Sequence, residues 1–131
     1  VEIISSFLER NELRKYITVA DVICLPFKLV ISDVPITVLE AMAVGKPTIS
    51  TNIDGITELL DERGLIVEPC NSDDLAKSIM VVLANNELAR KLGSSARSFM
   101  LDYPRWNQIG ENFAKLMAEF SEREELWQRH R

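Results

Sequence analysis

Residues 21–51 read DVICLPFKLVISDVPITVLEAMAVGKPTIST, and the fold is decided there. The run Asp21-Val22-Ile23-Cys24-Leu25-Pro26 is continuously apolar after its first residue and ends on proline, the pattern of a parallel strand buried on both faces. A loop from Phe27 to Val34 follows. Pro35 suits the first position of a helix, where the missing N–H has no intrahelical partner to lose. The helical stretch closes at Gly45, a residue that takes the left-handed conformation ending many helices. Lys46-Pro47-Thr48-Ile49-Ser50-Thr51 is then a second strand, with its proline at the start, where no central ladder bond is lost. A strand, a crossover helix and another strand make the repeating unit of a parallel α/β sheet.

Working outward, the segment from Arg10 to Val19 reads as a helix, with Leu13, Tyr16, Ile17 and Ala20 at three- and four-residue spacing. Val1-Glu2-Ile3-Ile4-Ser5 alternates weakly and is expected as a strand. On the other side, a turn at Asp54-Gly55 leads into a short helix through Leu60, and Gly64-Leu65-Ile66-Val67 forms a last short strand. From Ser72 onward the period is helical. Ser72-Asp73-Asp74 offers an N-cap and an acidic first turn, with Leu75, Ile79, Val82 and Leu83 on one stripe. Asn86 caps a second helix bearing Leu88, Leu92, Ala96 and Phe99. A third begins near Trp106 and carries Ile109, Phe113, Leu116, Met117 and Phe120. Residues 121–131 are dense in charge and read as a solvated helix or tail. The fold class expected is α/β, a Rossmann-like parallel sheet with flanking helices.

Composition removes several classes of function. A chain of 131 residues is one domain by length. Its 47% hydrophobic content is that of a packed interior and argues against disorder. Fifteen Lys and Arg against twenty Asp and Glu give a net charge of −5, the wrong sign for a general nucleic-acid binder. The single histidine, His130, cannot build a metal cluster or a Ser-His-Asp triad. Cys24 and Cys70 lie far apart with no Cys-x-x-Cys, so reduced, buried thiols in a cytoplasmic protein are expected rather than a disulfide. No apolar run approaches the roughly 20 residues that span a bilayer, and no signal peptide is expected. The five glycines are widely spaced, so neither a Walker loop nor a Gly-x-Gly-x-x-Gly fingerprint can be written.

Phosphate can still be held another way. In open parallel sheets ligands bind beyond the carboxyl ends of the strands, and a helix N-terminus presents N–H groups and partial positive charge. The helix after Pro35 stands at such a place. Glu40 lies four and three residues beyond Ile36 and Thr37 and shares their face, one turn from the helix start. A carboxylate there accepts hydrogen bonds from sugar hydroxyls; a surface Glu favoured by the helix dipole is the other reading. Lys28 is open to two readings, as a phosphate contact and as a solvated side chain, while Gly55 and Glu58 read as turn and cap residues.

The run ADVICLPF…SDVPITVLEAMAVGKPTISTNIDGITELL…GLIVEP resembles the nucleotide-sugar-binding half of the GT-B glycosyltransferases, in particular retaining family 4, or glycosyl transferases group 1. The Leu-Glu-Ala-Met-Ala-x-Gly-x-Pro core is the specific part. ELARKLGSSAR and YPRW further on are similar to the family's later helices, so the likeness covers residues 1 to 120. It implies a donor-binding domain over residues 1–120, N-terminally truncated, followed by the charged segment 121–131. It implies a nucleoside-diphosphate sugar as donor substrate and no metal or other cofactor. The second Glu of the family's Glu-x7-Glu motif, which holds the ribose hydroxyls, falls on Glu40. The diphosphate-holding amides fall on Ile36 and Thr37, and Asp33 and Val34 approach the donor sugar.

Three positions depart from the family pattern. The first motif Glu falls on Ser32, with Asp33 beside it; the second motif glycine is Pro35; and the usual Ser after Leu-Pro is Phe27. The resemblance further implies a missing N-terminal acceptor domain that carries the catalytic His, a cytoplasmic location with peripheral inner-membrane contact through that domain, and an isolated fragment without activity. The incomplete sheet leaves an apolar edge open to homo-oligomer formation. Two other classes stand beside this reading. One is a noncatalytic nucleotide-binding or interaction module on the same scaffold. The other is a flavodoxin-like signalling domain, which lacks the acidic cluster expected near its start.

Overall fold

The computed structural model describes residues 3–31, 34–53 and 55–129, with side chains as far as residue 121. Two compact units divide the chain, Val1–Leu101 and Asp102–Arg131.

In the first unit the order is α1 (Arg10–Val19), β1 (Ile23–Leu25), α2 (Ile36–Val44), β2 (Thr48–Thr51), α3 (Gly55–Leu60), β3 (Leu65–Val67), α4 (Ser72–Ala84) and α5 (Asn86–Asp102). The sheet runs β1-β2-β3, parallel throughout. Ile49 stands between Cys24 and Leu65, and Ser50 between Leu25 and Ile66. The expected α/β class with a parallel sheet and flanking helices is therefore observed.

Alternation along β2 gives the sheet two different faces. Ile49 packs with Val67, Val82 and Leu92, beneath Leu75 and Ile79 of α4 and Leu88 of α5. Thr48 and Ser50 point to the opposite face. The helices that join the strands carry a buried set of their own: Val38, Ala41 and Met42 in α2, and Ile56, Leu59 and Leu60 in α3. All four residues of β2 are buried, as befits the central strand. Removing such apolar surface from water, at about 25 cal/mol per Å², is what holds the layers together.

Several sequence expectations need revision. The strand expected at residues 1–5 is not formed at 3–5, which carry no regular structure and leave Ile3 84% exposed. Val1 and Glu2 lie outside the described residues. β1 is half-buried rather than buried on both faces, because among the described residues it stands at the edge of the sheet with β2 as its neighbour. Pro35 is the N-cap of α2, not its first residue; its φ of −65° fits a helix but its ψ of 129° is extended. Gly45 ends α2 as expected, with φ 78° in the left-handed region and its N–H donating to the Met42 carbonyl.

Both later caps sit one residue before the expected ones. Asn71, not Ser72, caps α4, its Oδ1 accepting from the Asp74 N–H at 3.1 Å. Asn85 Oδ1 accepts from the Leu88 N–H at 2.9 Å at the start of α5. Asparagine accepts at both ends, satisfying an N–H that no helical carbonyl can reach.

Arg63 closes the far end of α3. Its Nε donates to the Leu59 carbonyl at 3.0 Å, and its guanidinium lies 4.2 Å from the centre of the Phe99 ring on α5. The second unit is built on α6 (Trp106–Arg129), which starts where the Arg105 N–H donates to Gln108 Oε1 at 2.8 Å. Among the described residues no helix is long and apolar enough to cross a membrane.

Candidate functional site

The segment between β1 and α2 leads from the carboxyl end of the sheet to Ile36, Thr37 and Glu40 of α2. The chain leaves β1 through a tight turn in which the Phe27 N–H donates to the Leu25 carbonyl at 3.0 Å. It then passes Val34, half-buried in a bend, and enters α2 at Ile36. Ser32 and Asp33 lie outside the described residues.

Ile36 and Thr37 are the first two residues of α2, and both are exposed, Ile36 by 71%. Pro35 gives no side-chain cap, and its carbonyl accepts from the Val38 N–H at 3.0 Å. The N–H groups of Ile36 and Thr37 precede any carbonyl four residues back within the helix, so they point out of its end with the partial positive charge of the dipole.

Glu40 lies one turn further on and is half-buried. It lines a cavity of about 540 Å³ between α1 and α2, together with Leu13, Ile17 and Ala43 and with Arg10, Arg14 and Arg97. Arg97 is fixed there by a hydrogen bond of 3.2 Å from Nη1 to the Ala43 carbonyl. A carboxylate in a cavity that arginines also line can accept hydrogen bonds from hydroxyls.

The three arginines were not legible as site residues. They come from α1 and α5, far from Glu40 in the chain, and their spacing carries no motif. The structure thus sets Glu40 within one turn of the Ile36 and Thr37 amides, but opens its cavity toward α1.

A second cavity, of about 340 Å³, lies at the carboxyl ends of the three strands. Pro26, Lys28, Thr51, Glu68 and Cys70 line it, together with Ser72 at the start of α4. Glu68 Oε1 accepts from Asn52 Nδ2 at 3.1 Å, and Asn52 Oδ1 accepts from the Thr57 hydroxyl at 2.9 Å, so the end of β2 is tied to β3 and α3. Cys70 is exposed in the left-handed region at φ 62°, against the expectation that both thiols are buried. Cys24 is half-buried, and that desolvation raises its thiol pKa above the usual value of 9.0. Among the described residues no group of three or more His, Cys, Asp or Glu side chains is placed to hold a metal ion.

Comparison with known proteins gives one consistent picture. The family described as Glycosyl transferases group 1 matches residues 3–99. The poly(ribitol-phosphate) alpha-N-acetylglucosaminyltransferase of Staphylococcus aureus is 30% identical over 118 residues, 83% of this chain and 24% of that protein. Among solved structures, sucrose-phosphate synthase from Thermosynechococcus elongatus superposes with a TM-score of 0.68 at 29% identity, over 79% of this chain and 27% of that one. Anabaena Alr3699/HepE, solved in complex with UDP, gives 0.74 at 19% identity over 84% of this chain and 30% of that one, a likeness of fold. These neighbours are GT-B glycosyltransferases, and the parallel sheet with flanking helices is the corresponding layout. The chain spans about a quarter of the length of the curated relatives it matches.

Proposed function

Because the chain belongs to the glycosyl transferases group 1 family, we propose that it is the donor-binding part of a retaining glycosyltransferase. The whole enzyme moves a sugar from a nucleoside-diphosphate sugar to a glycan, lipid or small-molecule acceptor, and the part over residues 1–120 is inactive alone. The charged segment 121–131 follows this part as a helix or tail. The observation that carries this reading is the position of Glu40, half-buried against a cavity and one turn from the start of α2.

In this reading the diphosphate sits on the Ile36 and Thr37 amides, where the helix dipole offsets its charge. Glu40 accepts hydrogen bonds from the ribose hydroxyls. Val34 and Asp33 approach the donor sugar, and Ser32 and Asp33 occupy the place of the first motif Glu. Transfer with retention needs the departing diphosphate to be stabilised as the glycosidic bond breaks, and prearranged N–H groups supply that without reorganising in the transition state. Support comes from the family match and from relatives named as sugar transferases. A fold neighbour is also known with UDP-glucose bound.

Ser32 and Pro35 at two motif positions favour one rival, a nucleotide-binding module without catalysis on the same scaffold. Calorimetric titration of the chain with UDP, GDP and inorganic pyrophosphate tests the common premise. At least one nucleoside diphosphate should bind, and Glu40→Ala should weaken it about tenfold, or about 1.4 kcal/mol, while leaving pyrophosphate, which has no ribose, unchanged. No nucleotide binding, or an equal loss for pyrophosphate, would contradict the assignment. Restoring the motif with Ser32→Glu in the whole enzyme separates the rivals: a gain in sugar transfer speaks for the enzyme, and none for the noncatalytic module.

A further inference from the structure

The way the chain leaves β1 is set by two hydroxyls of the neighbouring strand. Ser50 Oγ donates to the Leu25 carbonyl at 2.8 Å, and Thr51 Oγ1 donates to the Phe27 carbonyl at 2.7 Å. The two donors are 0% and 2% exposed. Successive strand residues project to opposite sides of a sheet, so the segment is held from the α2–α3 side by Ser50 and from the α4 side by Thr51. Between the two carbonyls lies Pro26, which has no N–H of its own to fix the turn.

The β2 ladder does not need these hydroxyls, because its backbone groups already pair with β1 and β3. Burying a hydroxyl without a partner is costly, and each of these finds its partner on the departing segment, 25 and 24 residues away in the chain. Those bonds cross from the rigid central strand to the start of the segment that ends in the amides of α2. Thr51 also lines, with Pro26 and Lys28, the cavity at the carboxyl ends of the strands.

We infer that Thr51, assisted by Ser50, is a positioning residue for the donor. It fixes the direction in which residues 26–31 leave the sheet, and with it the place of Lys28 on the way to the first amides of α2. The inference rests on the donor-binding reading above. Without the Thr51 hydroxyl the Phe27 carbonyl loses its donor and the segment relaxes, so a bound diphosphate must pay the ordering cost that the native chain has already met.

The test compares the parent chain with Thr51→Val, Thr51→Ser and Thr48→Val, each titrated with UDP and melted thermally. Thr48→Val is the control: its hydroxyl is equally buried but bonds the Lys46 carbonyl at 3.1 Å, at the opposite end of β2. Thr51→Val should bind UDP about tenfold more weakly, Thr51→Ser should bind within about twofold of the parent, and Thr48→Val should melt lower yet bind as the parent does. If Thr51→Val does not fold, the smaller change Ser50→Ala carries the same comparison and should weaken UDP in the same direction. Equal affinity of the parent and Thr51→Val, or equal losses in Thr51→Val and Thr48→Val, or a Thr51→Ser as weak as Thr51→Val, would overturn the positioning role and leave the donor reading standing. A parent chain that binds neither UDP nor GDP would overturn both, and one that binds only GDP moves the same comparison to GDP.

Discussion

Gly93 on α5 lies so close to Gly45, the residue that ends α2, that the first carbon of any side chain at Gly93 would overlap the Gly45 carbonyl oxygen. The contact is backbone on backbone and brings the end of the helix that carries Glu40 against α5. Arg97, one turn further along α5, reinforces it through the Ala43 carbonyl. Gly93→Ala should therefore destabilise the chain by about 1–3 kcal/mol, the usual cost of overpacking. Urea unfolding followed by far-UV dichroism would show it as a lower midpoint with an unchanged slope. A midpoint equal to that of the parent would mean that the two helices do not meet as described.

The cap of α4 can be assigned by substitution. Asn71→Ala removes the acceptor of the Asp74 N–H and should cost about 1 kcal/mol, whereas Ser72→Ala, inside the first turn, should cost a few tenths at most. The reverse order in chemical denaturation would return the cap to Ser72, where the sequence pattern alone puts it.

The two cysteines should separate by reactivity and by pH. Cys70 is exposed and should be alkylated at once in the native chain, while Cys24 should react only as the chain opens. Burial raises the Cys24 pKa, so the folded state keeps the thiol proton that the unfolded state gives up. The associated stability is complete below the usual thiol pKa of 9.0 and is lost as pH climbs from there through the raised folded value. Unfolding free energies measured from pH 8 upward should fall more steeply for the parent than for Cys24→Ala. Parallel curves would show that Cys24 is not desolvated.

Much of this arrangement is legible in the order of residues, and what is not has a common cause. The proline-bounded apolar run, the glycine after Val44 and the change to helical period at Ser72 are local signals, and each produced its element within a residue or two. Those signals also placed Glu40 and the amides of Ile36 and Thr37 at one end of one helix. The run alone cannot say how many neighbours β1 has; among the described residues only β2 flanks it, and it is half-buried. The alternation at residues 3–5 forms no strand for a related reason, since a strand exists only by pairing, and no described strand pairs there. Arg10, Arg14 and Arg97 around Glu40, and the hydroxyls of Ser50 and Thr51 on the β1 segment, depend on contacts between distant parts of the chain that no spacing rule encodes.

Amide NMR of the labelled chain during addition of a nucleoside diphosphate goes most directly to the central claim. The account predicts that the largest shifts fall on Ile36, Thr37 and Glu40, with Val34 close behind. An unperturbed α2 start, with shifts confined to other parts of the chain or absent altogether, would contradict it.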